Sequence, residues 1–141
     1  MRAIDGDTLQ FAGDVRVRLL GVDTPETVQL DHPVEPWGPE ASEYTQAFVA
    51  AGPVRLTFDR ERRDRHGRQL AFVWRGDVLL NERLIAEGLS KAQTKYPYSP
   101  AMKDRFRAAE REAKSKKLGI WSATASSGPP ITLAPATAAA R

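Results

Sequence analysis

Apolar and polar residues alternate over Val15, Val17 and Leu19, with Arg16 and Arg18 between them. A period of two predicts a strand with one buried face and one face carrying the arginines. Ala12-Gly13-Asp14 supplies turn residues ahead of this run, so the stretch from Ile4 to Val22 reads as strands joined by a hairpin. A polar, Pro-rich loop is expected from Pro25 to Pro36. The period then changes. Ala41, Tyr44, Thr45, Phe48 and Val49 fall on one stripe of a helix over 38–51, with Pro39 in its first turn and Gly52 at its stop.

Val54, Leu56 and Phe58 alternate again, and Gln69 to Trp74 is apolar on both sides, as in a central strand. Arg75-Gly76-Asp77 reads as a tight turn into Val78-Leu79-Leu80. Asn81 is expected to cap a short helix containing Leu84 and Ile85 and closed by Gly88. Leu89 to Thr94 predicts a last strand. Ser99-Pro100 opens a long helix whose core face is Met102, Phe106, Ala109 and Ala113, ended by Gly119. From Ser122 onward the composition is Ala, Ser, Thr, Pro and Gly, which buries too little surface to offset its ordering entropy. A folded domain over 1–121 and a disordered tail over 122–141 are therefore expected. Five short strands with three helices make an α+β fold. A small closed barrel with helices packed on it is one solution, which the pattern alone does not choose.

The length of 141 residues, with 41% hydrophobic and 28% charged residues, matches one soluble globular domain. No apolar run approaches the roughly 18–20 residues that span a bilayer, so no membrane partner is expected. Met1-Arg2-Ala3-Ile4-Asp5 has no apolar core of the signal-peptide type. Either the chain stays inside the cell as written, or an export segment lies outside this sequence. The absence of cysteine excludes disulfides and thiolate metal sites. A net charge of +3 and a pI near 9.4 make the surface mildly basic. Arg60, Arg62, Arg63, Arg65 and Arg68 crowd together, offset by Glu61 and Asp64. Such a cluster suits a polyanion, or equally a solvated turn.

Two segments concentrate chemistry: Ile4-Asp5-Gly6-Asp7-Thr8, and Arg18-Leu19-Leu20-Gly21-Val22-Asp23-Thr24-Pro25-Glu26. A hard divalent cation takes several oxygen ligands. Asp7 and Asp23 could supply carboxylates if the strands they end on pair, with a Thr24 carbonyl and water completing the shell. Asp-Gly-Asp reads equally as a hairpin turn. Pro25 stiffens the loop that carries Glu26, whose carboxylate can position or deprotonate a water. Planar guanidinium donors match the non-bridging oxygens of a phosphodiester, where charge builds in the transition state. Arg18 is one such donor. Arg68, aimed by the turn at Gly67, is the candidate for the opposite side.

These motifs, with Gly-Pro-Glu-Ala at 38–41, Asp-Arg-His-Gly-Arg at 64–68, Leu-Asn-Glu at 80–82 and Leu-Gly-Ile-Trp at 118–121, resemble the staphylococcal nuclease (thermonuclease) family, in order over residues 3–122. The resemblance implies a five-stranded OB-type β-barrel with three α-helices. It implies a calcium-dependent nuclease acting on DNA and RNA, single strands favoured, that leaves 3′-phosphate ends. Asp7 and Asp23 would be Ca2+ carboxylates and Thr24 the carbonyl ligand. Glu26 would act on the nucleophilic water, and Arg18 and Arg68 on the phosphate. A monomer is expected, and the family suggests a secreted or cell-envelope location. A non-catalytic module binding single strands or a protein partner is the alternative, though such modules are expected to lose members of the carboxylate–arginine set.

Three features depart from the family. Its members begin well before the Ile-Asp-Gly-Asp-Thr motif, so the first strand reads as shortened, with a cost to stability and to the pairing that holds Asp7. Arg65 and His66 stand where a lysine and a tyrosine are common; both can contact a phosphate, and His66 can stack on a base. Tyr96 and Tyr98 are an approximate counterpart of the family's tyrosine pair. They offer a stacking surface for nucleobases, or pack on the barrel as loop aromatics. The remaining candidates read as structural: His32 solvated, Trp37, Trp74 and Trp121 on the core, and Glu110 with Lys114 as a helical ion pair.

Overall fold

The computed structural model describes residues 1–25 and 35–122. Four strands come first: β1 (Arg2–Asp5), β2 (Thr8–Gln10), β3 (Arg16–Leu19) and β4 (Val22–Asp23). Helix α1 (Gly38–Ala50) follows, then β5 (Arg55–Thr57), β6 (Gln69–Arg75) and β7 (Val78–Leu79), leading directly into α2 (Leu80–Ala86). Strand β8 (Lys91–Ala92) precedes α3 (Pro100–Ser115). The five strands expected from the pattern are thus cut by turns into eight shorter ones.

The strands form a curled mixed sheet in the order β1-β2-β3-β6-β5, with β7 also on β6 and a separate β4-β8 pair. Only β3 and β6 run parallel, with Arg18 opposite Leu70. Strand β6 is central as its unbroken apolar run predicts: Leu70, Ala71, Phe72 and Val73 are all buried between β3 and β5. The curl and the three helices make a half-barrel of α+β, OB-type architecture.

The predicted stripe of α1 is its buried face, with Ala41, Tyr44, Thr45, Phe48 and Val49 all in the core. This face packs on β1, and the Ala3 N–H donates to Gln46 Oε1 at 2.8 Å. A first strand thus exists over Arg2–Asp5: it pairs with β2 on one side and is tied to α1 on the other. Ser99 caps α3 by accepting from the Met102 N–H, and Glu110 and Lys114 form the expected pair at 3.7 Å.

Asn81 does not cap α2, whose cap position is Leu79 and carries no side-chain bond. Its side chain is fully buried instead. Oδ1 accepts from the Val73 N–H, and Nδ2 donates to the carbonyls of Leu20 and Ala71. A buried amide has four hydrogen-bonding positions to satisfy, and Leu20 just past β3 with Ala71 and Val73 inside β6 supply three partners. Asn81 therefore joins the two strands that carry Arg18 and Arg68 toward the site. Among the described residues, no helix is long and apolar enough to cross a membrane.

Candidate active site

The Asp5-Gly6-Asp7 segment is the hairpin turn that its sequence allowed. It is the turn between β1 and β2, entered through an irregularity in register at Ala3 and Asp5. It also buries Asp7, with 7% of the side chain exposed. Gly6 makes this possible. A Cβ there would lie 2.8 Å from both Ala41 Cβ and Thr24 Oγ1, so only glycine lets the turn sit this close to α1 and to residue 24. Thr45 Oγ1 donates to the Gly6 carbonyl at 2.6 Å and fixes that approach.

Asp7 meets the start of the second chemical segment through strand pairing, the Leu19 N–H donating to its carbonyl at 2.9 Å where β2 lies on β3. The strands that end at Asp7 and Asp23 do not pair with each other as the sequence suggested. Strand β2 pairs with β3, and β4 pairs with β8. The link is the Thr24 N–H, which donates to Asp7 Oδ2 at 3.3 Å. Arg18, projecting from β3, places Nη2 3.5 Å from the same oxygen, while its Nη1 donates to the Leu19 carbonyl. On the other side, Thr8 Oγ1 donates to Asp7 Oδ1 at 3.1 Å. Asp23 is exposed at the end of β4, with its N–H held by Ser90 Oγ at 2.8 Å. Its carboxylate has no hydrogen bond or ion pair among the described residues. Glu26 and His32 lie outside the described residues.

Arg68 arrives from the opposite wall. Gly67, with φ of 77°, closes the 64–68 turn in the left-handed region that favours glycine. Asp64 organises the turn: Oδ1 accepts from the N–H groups of His66 and Arg68, and Oδ2 accepts from Arg68 Nε at 2.8 Å. Burial pushes the Asp64 carboxyl up, but these two N–H groups and the Arg68 guanidinium outweigh it and hold the group below its ordinary range. So oriented, Arg68 Nη1 lies 3.5 Å from Thr8 Oγ1. One guanidinium from β3 and one from the turn ahead of β6 thereby converge on the buried Asp7–Thr8 pair. Thr8 and Asp64 were not singled out in the sequence, although an aspartate four residues before an arginine in a glycine turn is a legible anchoring pattern.

Beside Arg68 opens a hollow of about 630 Å³, lined among others by Arg63, Arg65, His66, Arg68 and Tyr96. Arg65 and His66 are exposed at its rim, and so is Tyr96, which can present its ring to a base. Tyr98 cannot. Its ring lies in the core, about 6.1 Å from those of Phe72 and Phe106, and its hydroxyl donates to the Gln93 carbonyl. Burial pushes that hydroxyl up to about 12. The expected tyrosine pair is thus split, Tyr98 into the core and Tyr96 to the surface.

For a divalent cation the donors available are hard oxygens: the Asp7 and Asp23 carboxylates and the Thr24 main-chain carbonyl. That chemistry fits calcium or magnesium and not a thiophilic metal. Among the described residues no group of three or more His, Cys, Asp or Glu side chains converges, so carbonyl and water oxygens would have to complete a shell.

A family model described as staphylococcal nuclease homologue matches residues 16–123. The chain is 46% identical over 123 residues to the thermonuclease of Staphylococcus intermedius, covering 85% of this chain and 73% of that protein. It is 42% identical over 127 residues to the thermonuclease of Staphylococcus hyicus, covering 86% and 73%. Endonuclease YncB of Bacillus subtilis is 45% identical over 127 residues, with 86% of this chain and 59% of that protein covered.

Proposed function

The chain belongs to the staphylococcal nuclease family, and from that premise we propose that it is a calcium-dependent nuclease that hydrolyses phosphodiester bonds of DNA and RNA and leaves 3′-phosphate ends. Its class, a nuclease, rests on that membership and on relatives named thermonuclease and endonuclease. The observation that carries the mechanism is the convergence of Arg18 and Arg68 on the buried Asp7–Thr8 pair.

In this reading Arg18 and Arg68 grip the non-bridging oxygens of the scissile phosphate from two sides. Pre-positioned guanidiniums stabilise the charge that develops there, and they cost no reorganisation when it appears. Asp64 keeps Arg68 extended toward the phosphate. Glu26 orients the attacking water and takes its proton, by its place after Asp23-Thr24-Pro25. Asp7, Asp23 and the Thr24 carbonyl would hold calcium, which when bound supplies further polarisation of the phosphate. Arg65, His66 and Tyr96 line the path of the neighbouring nucleotides, where Tyr96 stacks on a base.

The test is incubation with single-stranded DNA and with RNA in calcium, magnesium or chelator, followed by end-group analysis. Cutting in calcium alone with 3′-phosphate ends is expected. Chelator-resistant cutting, or none in any condition, would sink the proposal. Glu26→Gln should lower turnover and spare calcium-dependent nucleotide binding; a parental rate would remove Glu26 from the mechanism.

A further inference from the structure

Arg16 is the arginine that the mechanism above leaves unused. It stands two residues before Arg18 on β3, and the strand alternates: Val17 and Leu19 are buried, Arg16 is exposed and Arg18 is half-buried. Arg16 and Arg18 therefore project from the same face, about 6.7 Å apart along the strand. That is the scale on which successive phosphates follow one another along an extended single strand. Its register partner on β2 is Gln10, not a carboxylate. The nearby Asp14 is engaged by Gln10 Nε2 at 3.0 Å. Among the described residues, no acidic side chain pairs with Arg16.

The guanidinium is nonetheless held in place. Nη2 donates to the His66 carbonyl at 3.0 Å, which lays Arg16 against the turn bearing Arg65, His66 and Arg68. A guanidinium has five N–H donors in a rigid fork, and this bond uses one of them. The others remain open beside the exposed Arg65. An anchored, uncompensated guanidinium next to a phosphate-gripping one is matched to a second phosphate and not to an isolated anion.

We propose that Arg16 is a further substrate-binding residue, one that holds the phosphate adjoining the scissile one and so favours chains over esters with a single phosphate. The inference rests on the nuclease reading for the identity of the strand, but its contact can be measured without cleavage. The bland possibility is that Arg16 only staples the His66 carbonyl and thereby shapes the turn.

Binding of a fluorescein-labelled single-stranded oligonucleotide is measured by anisotropy in chelator, over a range of salt, for the parent and for Arg16→Ala, Arg16→Gln and Arg16→Lys. Glutamine keeps an N–H donor, with a shorter reach, but has no charge. Alanine and glutamine should each weaken binding about tenfold at low salt and reduce the salt slope by about one, while lysine keeps most of both. In calcium, Arg16→Ala should raise KM for the oligonucleotide at least about fivefold more than for a nitrophenyl phosphodiester, whose one phosphate meets Arg18 and Arg68. Restoration of affinity and slope by glutamine would reduce Arg16 to a staple, and equal losses on both substrates would also overturn the proposal. A parent that binds the strand but never cuts it ends the catalytic reading and leaves Arg16 to be judged on the salt slope. A parent that does not bind ends both.

Discussion

Arg18 and Arg68 converge on the same pair of residues but are held in opposite ways. Arg18 is carried by a strand paired on both sides, its buried neighbours lock its direction, and its charge is met by Asp7. Arg68 stands at the end of the 64–68 turn, where one carboxylate, Asp64, accepts from two of the turn's N–H groups and is also the partner of the guanidinium. The strand wall is specified by ladders on both sides, whereas the turn wall rests on a few local backbone bonds, Arg16 on the His66 carbonyl, and one carboxylate that meets the Arg68 guanidinium. Direction on the first is set by the ladder and by the buried neighbours. Position on the second should follow the ionisation of Asp64.

Breaking the strand wall should have the largest effect. Arg18→Ala is expected to lower kcat by about 100- to 1,000-fold, the usual cost of one pre-positioned charge-stabilising donor. It should also lower stability by about 1–3 kcal/mol, because Asp7 stays buried without its ion-pair partner. Steady-state kinetics and a thermal melt read the two effects, and an unchanged kcat would take Arg18 out of the site.

Next comes the turn wall. Asp64→Asn keeps an oxygen that can accept from the His66 and Arg68 N–H groups but removes the charge facing Arg68. A fall in kcat/KM of about tenfold is expected, since a charge-assisted bond is replaced by a neutral one. The pH dependence follows from the lowered carboxyl. Its stabilisation is fully present above the ordinary aspartate value of 3.8 and is lost as pH falls through the lower, folded-state value. Thermal melts across the acid range should show a fall in the parent that is blunted in Asp64→Asn. Identical acid limbs in the two proteins would contradict this account of the turn.

The two loop tyrosines sharpen the contrast between exposed and buried placement. Tyr96→Ala should raise KM for single strands about five- to tenfold, as expected for loss of one stacking platform. Tyr98→Phe should leave kinetics alone and cost about 0.5–1.5 kcal/mol, since only the hydroxyl bond to Gln93 is lost. The smallest effect is alkaline. The Tyr98 hydroxyl ionises near 10 when unfolded and about 12 when folded. Its contribution is therefore complete below 10 and lost between these values as pH rises. That limb should be missing in Tyr98→Phe.

Periodicity and the dense motifs determined a good deal on their own. The stripe of α1, the doubly buried run of β6, the start of α3 at Ser99 and the alternation that aims Arg16 and Arg18 are all local properties. A side chain's direction on a helix or strand follows from its spacing, whatever the chain packs against. Asp7, Arg18 and Arg68 could be singled out as candidates in the same way, because each lies in a short segment dense in functional residue types.

Only the tertiary structure decided how those segments meet. Asp7 joins residue 24 through a backbone N–H and the space left by Gly6, a contact between parts of the chain that carry no mark of each other. Asn81 is a cap by its sequence position and a buried cross-strand tie by its burial, since Leu20 beyond β3 and the backbone inside β6 offered it partners that water would otherwise have supplied. Tyr96 and Tyr98 look alike in sequence, yet only Tyr98 finds ring partners, Phe72 and Phe106, in the core. Local pattern fixes where a side chain points. What it meets there depends on elements distant along the chain, and on which polar groups burial leaves in need of a partner.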